Sequence, residues 1–222
     1  MAKDKKIFWF DTETTGTDPK IHGIVQLAVL MEVNNEIVDT FHAKMRILAD
    51  KKVDPKALDV TGFTHDEVTA QFENPFNVFD DLQTFLKKHG TGFKEDRFIM
   101  AGYNADFDCN MLSQWFEDVT ATKWEYWKYL QFSPIDVLPT LRAMRYAGII
   151  DTPDTKLGTM CEYFGIPINA HDALSDITAT RELTKFVFEK LWTHWQNSPW
   201  GLLRAFTEDE CKELARYEVK NG

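Results

Sequence analysis

Ile7-Phe8-Trp9-Phe10-Asp11-Thr12-Glu13-Thr14-Thr15-Gly16 is the stretch that decides how this 222-residue chain is read. Four consecutive apolar residues form a short buried strand, and the strand runs directly into acid. Asp11 and Glu13 stand two apart, so both side chains leave the same face. A D-x-E pair also occurs on exposed strands. A buried strand ending in paired acids, however, is where open α/β sheets place their ligands. Thr14, Thr15 and Gly16 add hydroxyl and backbone donors suited to a phosphate or a terminal sugar.

Outward from this strand, Ile24 to Val33 and Glu36 to Met45 are β-rich runs joined by Asn34-Asn35, a tight hairpin signal. The pattern then turns helical. Asn74 can cap, Pro75 suits the first helical position, and Phe76, Phe79, Leu82 and Leu86 recur at helical spacing until Gly90. Phe98 to Tyr103 reads as a fourth strand, followed by helices over Asp106 to Asp118, Val137 to Tyr146 and Leu157 to Phe164, and a long one after His171. Strands followed by alternating helices and strands define an α/β domain on a mixed sheet, over residues 1–195. Residues 196–222 are expected to be a helical appendage, containing Pro199-Trp200-Gly201 and then a helix that starts on the capping box Thr207-Glu208-Asp209-Glu210.

Two further blocks carry chemistry. In Tyr103-Asn104-Ala105-Asp106-Phe107-Asp108, one of Asp106 and Asp108 is expected to cap the helix; Asp108 is the better metal or water ligand, because Phe107, Met111 and Leu112 dock that helix. In the last helix, Ala173, Thr180, Leu183, Val187 and Leu191 define the buried arc, opposite Thr178, Arg181, Glu182, Lys185 and Glu189. Asp176 lies on the buried arc with no lysine or arginine nearby on it. A lone core-facing carboxylate is costly to ionise, so a metal shared with Asp11 and Glu13 is its simplest partner. His171, on a loop ahead of the Asp172 cap, is alone an ordinary polar residue. Beside three acids it becomes a general base.

A net charge of −10 argues against a broad basic face that coats nucleic acid. It is compatible with a carboxylate cluster that divalent cations neutralise. Three widely spaced cysteines suggest neither a disulfide framework nor a zinc site, and no apolar run approaches a membrane span. The expectation is a soluble, unprocessed cytoplasmic chain with no membrane partner.

Together FDTETTG, NADFD and HDALSDITAT resemble the three motifs of the DEDDh branch of the 3′–5′ exonucleases, over residues 6 to 192. The segment Thr61 to Thr64 is similar to the loop on which that family packs a 3′-terminal nucleotide, which assigns Thr61 and Phe63, with Thr14, Thr15, Asn104 and Phe107, to substrate. Tyr103 departs from the family, where many members carry histidine. The resemblance implies an RNase H-like fold with a mixed five-stranded sheet flanked by helices. It also implies two Mg²⁺ or Mn²⁺ ions: Asp11 bridging both, Glu13 and Asp176 completing one, Asp108 supporting the other, and His171 taking a proton from the attacking water. The implied substrate is a single-stranded or frayed DNA 3′ end, with RNA trimming and a catalytically silent polymerase- or nucleic-acid-binding module as alternatives, and a generic acidic metal-binding domain remote. Trp124, Tyr126, Trp127 and Tyr129 could stack bases, though a structural role is favoured. Gln196 to Leu203 could dock on a DNA polymerase or sliding clamp, though a packed tail is favoured.

Overall fold

The computed structural model describes residues 4–131 and 133–197. The chain divides into two compact units, 1–183 and 184–222, the first of which holds every candidate site residue. The sequences expected to form a capping box at 207–210 and a docking peptide at 196–203 lie outside the described residues, apart from Gln196 and Asn197.

Strands β1 (Lys6–Thr14), β2 (Ile24–Val33) and β3 (Glu36–Lys44) are antiparallel, and β4 (Ile99–Gly102) and β5 (Ile135–Asp136) extend the sheet in parallel beyond β1, in the order β3-β2-β1-β4-β5. The Asn34-Asn35 hairpin has positive φ at both residues (52° and 74°), which matches its strand twist. The continuous apolar run of β1 is explained by its central place. Phe8 and Phe10 enter the larger core on one face of the sheet, while Ile7 and Trp9 enter a smaller one on the other. β2 divides in the same way, with Leu27, Val29 and Met31 on the first face and Ala28 and Leu30 on the second.

Helix α1 (Pro55–Thr61) and a π turn (Glu67–Gln71) precede α2 (Pro75–His89), which Asn74 caps by accepting from Phe76 N at 3.0 Å. Phe76 is half exposed; the buried stripe runs instead through Val78, Phe79, Leu82, Phe85 and Leu86. Then come α3 (Ala105–Thr120), α4 (Trp124–Tyr129), α5 (Leu138–Tyr146), α6 (Leu157–Phe164) and α7 (Ala173–Asn197). The sequence pattern misses α1, which buries no residue, and α4, a six-residue helix. The aromatic cluster is split by α4: Tyr126 and Tyr129 are buried in the larger core, and Trp124 is exposed. Arg181, expected on the solvent side of α7, instead donates to buried Glu32 at 2.6 Å and to Asn35 O, tying α7 to the β2–β3 hairpin. No described helix is long and apolar enough to cross a membrane.

Candidate active site

Asp11 and Glu13 share the face of the sheet carrying Ile7 and Trp9, the face on which Ala173 and Ile177 of α7 pack. Asp176, one residue before Ile177, is thereby brought to the end of β1. Ligand atoms of Glu13, His171 and Asp176 lie within 4.8 Å of one another. Asp11 and Asp108 stand outside that trio.

Asp108 arrives from the other side. Beyond the last β1–β4 pair, Trp9 with Ala101, the Thr12 N–H has no strand partner. Asp108 Oδ1 accepts from it at 3.0 Å and from Thr12 Oγ1 at 2.5 Å, which fixes a buried carboxylate beneath the acids of β1. Neither Asp106 nor Asp108 caps α3, contrary to expectation. The caps come from Asp136, which accepts from Asn104 N and Ala105 N at 3.1 Å each and from Leu138 N at 2.9 Å. One carboxylate on a two-residue strand thus anchors the starts of α3 and α5, and frees Asp108 for the site. Asn104 sits in the left-handed region (φ 55°), where the chain turns from β4 into α3.

The N-terminus of α7 is equally built. Asp172 caps it through Ser175 N (3.1 Å), and His171, at φ 67°, donates its backbone N–H to Asp176 Oδ2 at 3.1 Å. Asp176 Oδ1 is buried without a partner. Gln26 is fully buried in the apolar run of β2, and its amide bridges His42 Nε2 at 2.7 Å and Asp172 Oδ2 at 3.2 Å. Neither Gln26 nor Asp136 is singled out by the sequence motifs, although a glutamine inside Ile24-Val25-Gln26-Leu27 is the kind of buried polar group that asks for a partner.

Loss of hydration and mutual repulsion leave these acids hard to ionise. Burial first, then Asp108, Glu13, Asp176 and Asp172, push Asp11 well above the usual carboxylate range. Burial and then Asp176 raise Glu13 to about 7. Burial also raises Asp108 to about 7 against the two Thr12 bonds that lower it, and raises Asp176. Converging carboxylates, one with an orphaned buried oxygen, fit hard divalent cations such as Mg²⁺ or Mn²⁺.

The residues assigned to substrate are less uniform. Thr15 is fully buried, its hydroxyl donating to Lys52 O at 2.7 Å and accepting from Gly23 N, and the Thr14 hydroxyl donates to Gly16 O at 2.8 Å. Asn104 is exposed, Phe107 is half-buried against the larger core, and Thr61 is half-buried at the end of α1. Phe63 packs edge-on against Phe72, ring centroids 5.1 Å apart. Tyr103 donates its hydroxyl to Thr155 O, holding the loop before α6.

A family model for exonucleases, named for RNase T, matches residues 8–184. The chain is similar to a PolC-type DNA polymerase III of Thermotoga maritima (28% identical over 174 residues, 78% of this chain and 11% of the relative). It is equally similar to the 3′-5′ exonuclease DinG of Staphylococcus epidermidis (28% over 181 residues, 81% and 18%). It therefore spans between a tenth and a fifth of those curated relatives. Among solved structures, E. coli Exonuclease I in complex with a dT13 oligonucleotide superposes with a TM-score of 0.66 at 23% identity, over 86% of this chain and 44% of that one.

Proposed function

Given that this chain belongs to the exonuclease family, of the DEDDh type, we propose that it removes 5′-mononucleotides stepwise from the 3′ ends of DNA, with single-stranded or frayed ends as substrate. The observation carrying this reading is the convergence of Asp11, Glu13, Asp108 and Asp176 from β1, α3 and α7, with each carboxylate held above its ordinary pKa and Asp176 Oδ1 unsatisfied. Asp11, Glu13, Asp176 and Asp108 would hold two divalent cations, Mg²⁺ or Mn²⁺, which supply charge stabilisation at the phosphate and acidify water.

The protein's own groups do the rest. His171 accepts the proton of the attacking water at an imidazole nitrogen; its backbone bond to Asp176 ties the base to the acid cluster. The new P–O bond forms as the P–O3′ bond breaks; the departing O3′ takes up a proton from solvent, which leaves a fresh 3′-hydroxyl on the strand and releases a 5′-monophosphate. Thr12 keeps Asp108 aimed, and Asp172 with Gln26 holds the start of α7. Phe63, Asn104, Phe107 and Thr61 are the proposed contacts to the terminal nucleotide, with Thr14 and Thr15 shaping the loop through their hydroxyl bonds.

The test is digestion of 5′-labelled DNA and RNA oligonucleotides of one sequence with Mg²⁺ or Mn²⁺. A ladder shortening one nucleotide at a time on DNA, abolished by EDTA, is expected. Internal cuts as main products, or undiminished activity in excess chelator, would sink the reading. Strong preference for the RNA strand would move the chain to RNA trimming.

A further inference from the structure

The strand register sets Glu13, Gln26 and Lys44 opposite one another across β1, β2 and β3. Residues paired in this way point to one face, so Lys44 stands on the face of the acids, two strand spacings or about 10 Å from Glu13. Its ammonium lies over the ring of Phe63 at 4.7 Å and of Phe72 at 5.8 Å. These two rings form the edge-to-face pair described above, which restricts where the cation can sit.

No carboxylate claims this ammonium. Lys44 forms no ion pair among the described residues, as is also true of Lys20, Lys52 and Lys56, but Lys44 is the lysine whose ammonium is seated over aromatic rings on the face of the acids. The acids that feel its charge, Asp172 and Glu67, already use carboxylate oxygens elsewhere, Asp172 on Ser175 N and Gln26 and Glu67 on Thr64. An exposed cation steered by aromatic rings, next to a concentrated negative site and left unneutralised, is arranged for an anion that comes and goes.

We infer that Lys44 is a backbone-phosphate contact for the polynucleotide, holding a linkage displaced from the one at the acid cluster, with the Phe63–Phe72 pair as its seat. This rests on the nuclease reading and adds to it a strand path across β2 and β3. A phosphate there supplies the countercharge that no described residue does, and the lysine draws a polyanion toward a chain whose overall charge repels it.

The experiment measures KM and kcat on a single-stranded oligonucleotide across a salt series for wild type, Lys44→Met and Lys44→Arg. It also measures oligonucleotide binding by fluorescence anisotropy with Ca²⁺ in place of Mg²⁺. In Lys44→Met, which keeps the stem's packing, the loss should fall on KM and on the dissociation constant. The slope of log affinity against log salt should drop by about 0.7, the value of one single-strand phosphate contact, and Lys44→Arg should restore it. Oligonucleotides with one uncharged methylphosphonate linkage provide a second readout: one position should weaken wild-type binding and leave Lys44→Met unaffected. An active wild type whose salt slope and methylphosphonate profile are unchanged by Lys44→Met overturns the Lys44 assignment alone. A wild type that neither binds nor shortens any oligonucleotide overturns the nuclease reading, and the Lys44 assignment with it.

Discussion

Asp176 and His171 are joined by one backbone bond and should fail in different ways. Asp176→Asn keeps an oxygen for the His171 N–H but removes a charge from a crowded acidic site. Cation affinity and activity should fall together, by a factor on the order of 10² or more in rate, while the metal-free protein at pH 8 becomes more stable by about 1 kcal/mol because a half-buried anion has been lost. Paired calorimetric titration and thermal melts check this, and an unchanged cation affinity would remove Asp176 from the ligand set. His171→Ala should bind cation nearly as wild type and lose about 10²–10⁴ in rate. Steady-state kinetics beside the same calorimetric titration check this for His171. Its ring nitrogen lies within 4.8 Å of ligand atoms on Glu13 and Asp176, so poor cation binding by His171→Ala would make it a ligand instead of a base.

At the scale of elements, the smallest strand does disproportionate work. Asp136 in β5 receives the N–H groups that open α3 and α5, so it sets the angle at which α3 delivers Asp108 to Thr12. Asp136→Ala strips three backbone donors of their acceptor. A loss of about 2 kcal/mol in stability is expected, together with a drop in activity at saturating substrate, although Asp136 belongs to none of the three acidic motifs. Asp136→Asn, which keeps an acceptor but loses the charge, should recover part of both. Denaturant melts beside steady-state kinetics check the pairing; stability lost without any change in rate would mean that α3 keeps its aim by packing alone. The same logic explains the misread caps. Asp106 and Asp108 are in the right place along the chain to cap α3, but an acid from a strand 30 residues later takes the free N–H groups.

For the whole molecule, raised carboxylates couple folding to pH. Glu13 and Asp108, both near 7 when folded, bind more protons in the native than in the unfolded chain between their ordinary values and about pH 7. The unfolded state therefore holds fewer protons there, and metal-free stability should decline as pH rises through this window. Divalent cations compete with those protons, so stabilisation by Mg²⁺ or Mn²⁺ should be larger at pH 8 than at pH 5.5. At a concentration of 100 dissociation constants it should reach about 5–10 °C in Tm. Scanning calorimetry at both pH values with EDTA or cation tests this, and a cation shift independent of pH would contradict it. The sequence by itself determined what lies in local pattern. The buried strand ending in Asp11 and Glu13, the Asn34-Asn35 hairpin, the α2 start on Asn74 and the placement of Asp176 and His171 at the beginning of α7 are set by periodicity, turn residues and caps acting over a few positions. Tertiary structure decided what depends on partners far away in the chain: the Thr12 bonds that hold Asp108, the Asp136 cap, the Arg181–Glu32 pair and the row that brings Lys44 to the site. Burial asks each polar group to find a partner, but which partner it finds is fixed by strand register and helix packing, and neither is written in the neighbouring residues.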